Sequence, residues 1–116
     1  MKTIRIAEHF PFPGPRYERI GPQSGEEFRK FLIKRLKDFY GEDYSQNNNL
    51  QITIDLDGTI GYGSSFLEEG FGGLLRHGVP FRIVQLIKIK TDEEPELEDE
   101  IREYINDENS NQKNQG

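Results

Sequence analysis

Leu50-Gln51-Ile52-Thr53-Ile54-Asp55-Leu56-Asp57-Gly58-Thr59-Ile60-Gly61-Tyr62-Gly63-Ser64-Ser65-Phe66-Leu67 is the stretch on which the fold turns. Leu50, Ile52, Ile54 and Leu56 alternate with Gln51, Thr53 and Asp55. A period of two is that of a half-buried strand, so 50–56 is predicted as one, with Asp55 on its polar face. Glycines at 58, 61 and 63 then punctuate a turn. Gly58 is expected to supply a backbone dihedral that other residues resist. Ser64 or Ser65 is placed to cap the helix that follows, and Ser65-Phe66-Leu67-Glu68 has the spacing of a capping box. Leu67, Phe71, Leu74 and Leu75 give that helix, near 65–76, its buried stripe, and Gly78 closes it. Gly70, Gly72 and Gly73 each cost about 1 kcal/mol against Ala inside a helix. Such costs argue for close backbone approach to a sheet or a partner.

Upstream, Ile4 and Ile6 alternate within a short opening strand over 3–7. Phe10-Pro11-Phe12-Pro13-Gly14-Pro15-Arg16-Tyr17 follows, and prolines at alternate positions forbid helix there. Tyr17 to Ile20 can add a short strand before the Gly21-Pro22 turn. Ser24-Gly25-Glu26-Glu27 is a capping box. Phe28, Phe31, Leu32, Leu36, Phe39 and Tyr40 then line one helical face, so 25–40 is a helix ended by Gly41. Its basic residues would suit a membrane surface. Core packing is the stronger reading, because so small a domain needs every apolar stripe.

Downstream, Phe81 to Ile89 reads as an apolar central strand. Pro95 suits a first helical turn, and Leu97, Ile101, Tyr104 and Ile105 form the last stripe, near 95–106. Residues 108–116 have nothing to bury and are expected to be a disordered tail beyond a domain of residues 1–107. The whole is an α/β or α+β arrangement: a small mixed sheet of about four strands with helices mainly on one face.

The 116 residues fit one domain. The chain has no cysteine, which removes disulfides, thiolate metal sites and cysteine nucleophiles. His9 and His77 alone cannot make a histidine-rich metal site. No apolar run approaches the roughly 18 residues of a membrane span, and the first residues lack a signal-peptide core. A cytoplasmic protein with no membrane association and no cofactor is expected. The net charge is -6. Residues 1–40 carry nine Lys/Arg and five Asp/Glu, a balance of +4; residues 41–116 carry six and sixteen, a balance of -10. An acidic chain is a poor nucleic-acid binder; its basic half can meet an acidic protein face, although plain solvated surface is the favoured reading.

Ile54-Asp55-Leu56-Asp57-Gly58-Thr59 matches the first motif of haloacid dehalogenase-like phosphatases. Such a motif implies Asp55 as nucleophile and Asp57 as acid/base beside magnesium. Thr91 falls where that family keeps a Ser or Thr. The family's larger parallel sheet, downstream lysine and acidic pair have no counterpart.

A longer stretch, Asp55 through Arg76, resembles the core of STAS-like domains, relatives of the sulfate-transporter and anti-sigma-factor-antagonist domain. Gly14-Pro15-Arg16-Tyr17 and Ser24-Gly25-Glu26-Glu27-Phe28-Arg29 resemble that family's N-terminal pattern. The resemblance covers roughly residues 4 to 105. It implies a non-catalytic regulatory module that binds a protein partner. In the antagonists, a Ser at the start of this helix is phosphorylated by a kinase of the histidine-kinase ATPase type, within Asp-Ser-Ser-Gly. Here the residues are Gly63-Ser64-Ser65-Phe66, so Ser64 and Ser65 match while the Asp and Gly do not. Both serines are candidate phosphorylation sites; both can equally be caps. A small-ligand or nucleotide sensor around residues 57–66 is the alternative. Arg16 can present its guanidinium to a phosphate or carboxylate, although an internal acid such as Asp57 is the favoured partner. Tyr62 can anchor a partner or plug its own loop. The surface expected to bind comprises Arg16, Asp57, Gly58, Tyr62, Gly63, Ser64 and Ser65.

Overall fold

The structure is a computed structural model and describes residues 2–115. Strand β1 (Lys2–Arg5) runs into a 3-10 turn at Ile6–Glu8. Helix α1 spans Gly25–Tyr40 and strand β2 Ile52–Asp55. A longer helix follows in three parts: α2 (Ser64–Leu67), a π segment (Glu68–Gly72) and α3 (Gly73–Arg76). Then come α4 (Phe81–Val84), β3 (Lys88–Lys90) and α5 (Leu97–Gln115).

The sheet order is β1-β2-β3, and both pairings are parallel. The expected small sheet with packed helices is there, with three described strands rather than four and no antiparallel pair. Register explains its two faces. Ile4, Ile54 and Ile89 lie in one row across the sheet and are buried with Phe28, Leu32 and Leu36 of α1. The next row is Arg5, Asp55 and Lys90, on the opposite face. Asp55 lies 3.9 Å from both Arg5 Nε and Lys90 Nζ, so a strand carboxylate is flanked by cross-strand cations.

Helix α1 forms as its sequence dictates. Glu27 N–H donates to Ser24 Oγ at 3.1 Å, the Ser24 amide faces Glu27 Oε1 at 3.4 Å, and Phe28, Leu32, Leu36 and Tyr40 are buried.

Several expectations are corrected. Tyr17 to Ile20 is a turn, closed by the Ile20 amide on Tyr17 O at 3.0 Å, not a strand. The predicted strand over 81–89 begins as helix. Pro80 starts it with extended angles, and its carbonyl accepts from Ile83 and Val84. Ile83, Val84 and Ile87 are buried, a spacing that satisfies a helix as well as a strand. Only 88–90 pairs, as an edge; β2 is central. Residues 108–115, expected as a disordered tail, continue α5. Glu108 holds that continuation to the body, since its carboxylate accepts from Arg76 Nη1 at 2.8 Å. Gly116 lies outside the described residues.

The glycine-rich stripe does permit a close approach, to α1. A Cβ on Gly70 would stand 2.3 Å from Phe28 Cδ2. One on Gly73 would stand 3.0 Å from Arg29 Cδ.

Candidate interaction surface

The turn after β2 is built on left-handed glycines, Gly58 at φ 95° and Gly61 at φ 129°. Gly58 meets the sequence expectation for it. Asp57 sits at the head of this turn and ties it to the segment after β3. Its carboxylate accepts from Lys90 Nζ at 2.8 Å and from the amides of Glu93 and Asp92 at 3.0 and 3.2 Å. The Gly58 amide donates back to Glu93 Oε1 at 2.6 Å. The Glu93 amide, helped by Lys90, holds the Asp57 carboxyl below its ordinary value. Asp57 therefore binds fewer protons folded than unfolded. Its contribution is fully present above the ordinary 3.8 and is lost as the pH falls through the depressed value. Asp57→Asn is expected to flatten the acid side of the stability profile, read by melting temperature against pH. An unchanged acid limb would contradict this latch.

Asp57 does not meet Arg16. The Arg16 guanidinium donates instead to Glu68 Oε1 at 2.6 Å and Glu69 Oε1 at 3.3 Å. Its loop is delivered there by backbone bonds, because the first amides of α1, Gly25 and Glu26, donate to the Pro15 and Arg16 carbonyls. Glu69 also accepts from the buried Arg29. Arg76 grips Glu68 with both Nη atoms, at 2.7 and 2.9 Å, and reaches Glu108. A chain of charges thus joins the proline loop, α1, the central helix and α5. Sequence reasoning missed it. The one hint was an acidic pair, Glu68-Glu69, inside an otherwise apolar glycine-rich helix.

Tyr62 plugs its own loop. Its hydroxyl donates to Leu56 O at 2.8 Å, its ring lies 5.7 Å from that of Phe66, and burial pushes its pKa up. Ser64 and Ser65 are not caps, which corrects the expected capping box at Ser65. The N-cap is Gly63, with extended angles and no side-chain cap bond. Gly63 places the two serines in the first turn, exposed.

Beside this turn lies an apolar patch that the sequence did not announce. Phe12 is 59% and Ile60 76% exposed. The Ile60 amide reaches Pro11 O at 3.4 Å, which brings the two loops together.

Among the described residues, no group of three or more His, Asp or Glu side chains could hold a metal ion, and no helix is long and apolar enough to cross a membrane. No curated protein and no solved structure matches the chain. Residues 24–97, well over half of the chain, match the family model described as the STAS-like domain of unknown function (DUF4325). The match takes in α1, the central strand, the glycine turn and the whole π-interrupted helix; β1 and the proline loop lie before it. A parallel sheet backed by helices, with a glycine turn leading to two exposed serines, is thus the body of a chain that belongs to the STAS-like family.

Proposed function

We propose that this domain is a non-catalytic, cytoplasmic regulatory module that docks a protein partner on the 57–63 turn, the start of α2 and the neighbouring proline loop. The observation that carries the reading is the exposure of Phe12 and Ile60 on adjoining loops. Large apolar side chains held in water gain about 1.5–3 kcal/mol each when a partner covers them. The loop bearing Ile60 leads directly to Ser64 and Ser65, whose hydroxyls are not consumed by capping.

Phosphorylation of either serine is the proposed switch, with a histidine-kinase-type ATPase as the partner. A phosphate there would be steadied by the free amides of the first helical turn. It would also bring a charge of nearly -2 to this surface and would repel an acidic partner face. Asp55 and Asp57 support this reading over a phosphatase. Asp57 is occupied by Lys90 and two backbone amides, and Asp55 accepts from the Asp57 amide at 3.0 Å.

The test is calorimetric titration against a partner recovered from the native host. Ser65→Asp is expected to weaken binding by about tenfold or more with an unchanged melting temperature. Ser65→Ala should bind as the wild type does. Ser64→Ala removes an exposed hydroxyl that caps nothing, so it should change stability by less than about 0.5 kcal/mol and keep affinity. Equal affinity for the wild type, Ser64→Asp and Ser65→Asp would remove the switch.

A further inference from the structure

The solvent side of α1 forms an open groove of about 500 Å³, within the size range of small-molecule sites. It shares no residue with the surface proposed above. Lys30, Lys34 and Lys37 line it from successive turns of one helical stripe, and His77 enters from the end of α3. Asp38 and Glu42 are the acids among its lining residues. They leave Lys34 unpaired. Lys37 reaches Glu42 only at 3.8 Å, across an exposed pair. Lys30 is engaged by Glu18 at 3.0 Å, also exposed. Lys34 has no acid within ion-pair distance among the described residues.

Arg29 also lines the groove and is its most telling residue. Its side chain is 8% exposed, and one Nη pairs with Glu69. Its Nε is buried with no hydrogen-bond partner. A guanidinium has five donors, and a buried orphan among them calls for an acceptor. Lys34 adds a cation without an acid partner to the groove that holds this donor.

We propose that this groove binds a small phosphate-bearing anion, of mononucleotide size or smaller, held by Arg29 and Lys34, with Ile33 as an apolar wall. The anion's oxygens would take the unused donors of both side chains. His77 reports on the site. Burial and the positive charge of Arg29 hold its pKa down, against the opposing pull of Glu69 and Glu26 and with the help of Arg76. A bound anion must therefore raise it.

Inorganic phosphate, pyrophosphate and AMP are the probes, titrated into the full chain at low salt by calorimetry and by proton NMR of the two histidines. At least one probe is expected to bind with one-to-one stoichiometry and to raise the His77 pKa without moving His9. Tighter binding of AMP than of pyrophosphate assigns a phosphate ester, and the reverse assigns free phosphate. Lys34→Glu, an exposed change, should weaken binding by about tenfold or more. Lys88→Glu, on the opposite face of the sheet, should leave it unchanged. Failure of all three probes to bind, or an equal loss in Lys34→Glu and Lys88→Glu, would overturn the proposal.

Discussion

Glu69→Ala is expected to destabilise the domain by about 3–5 kcal/mol, a large part of what a small domain has. Glu69 is 5% exposed and faces three arginines: Arg29 by a direct hydrogen bond, Arg16 at 3.3 Å and Arg76 at 3.7 Å. Removing the carboxylate leaves the Arg29 cation buried without its counter-charge, and that uncompensated charge sets the cost rather than the worth of the pair. Two comparisons isolate the cause. Glu68→Ala removes a carboxylate that is 24% exposed, and should cost only about 1 kcal/mol. The double change Arg29→Met, Glu69→Leu removes both buried charges and should restore most of the loss. Urea unfolding measures all three. A Glu69→Ala protein within about 1 kcal/mol of the wild type would show that the charge chain is not a structural tie.

Gly70→Ala should cost about 2 kcal/mol net: about 3 from the clash, less about 1 for Ala's better helix propensity. The new Cβ would lie 2.3 and 2.6 Å from two carbons of the Phe28 ring. That ring cannot retreat. It is fully buried, stacked on Phe66 at 4.9 Å and met edge-on by Phe71 at 5.5 Å and Phe10 at 5.6 Å. Gly63→Ala is the control, since its φ is ordinary and nothing lies within 4 Å of its added methyl. Combining Gly70→Ala with Phe28→Leu should cost less than the sum of the two, because they share one contact. Strict additivity in thermal melts would contradict the packing described.

These two residues show where the sequence was legible and where it was not. Local rules carried α1: the Ser24 box and the stripe from Phe28 to Tyr40 left one solution. The alternation at 50–56 likewise located β2, and the glycines of 58–63 located the turn. Gly70, Gly72 and Gly73 pointed to a close approach, and the neighbour proved to be α1. What failed depended on distance along the chain. Nothing near Arg16 says that it meets Glu68 and Glu69, more than fifty residues on. Ile83, Val84 and Ile87 fit either period, and only the Pro80 carbonyl, accepting from two amides, decides for a helical turn. Ser64 and Ser65 have the residue type of caps, but the N-cap is Gly63, which has no side-chain acceptor and so leaves no such signal. The α5 extension is held by the Arg76–Glu108 pair, which no local pattern reveals. Of the surface expected to bind, Tyr62 and Asp57 are turned to holding the turn, Arg16 to holding the helices, and the two serines are exposed.

The most direct test of the docking surface uses paired baits from the native host. Wild-type protein, Ile60→Asp, Phe12→Asp and Lys88→Glu would be immobilised at equal amounts, checked for equal melting temperature, and their captured proteins quantified by mass spectrometry. Ile60 and Phe12 stand in solvent, so a charge on either leaves the core untouched. The result predicted is a partner held by the wild type and by Lys88→Glu and lost from both patch variants. The same proteins in the same amounts on all four baits would contradict a docking role for this surface.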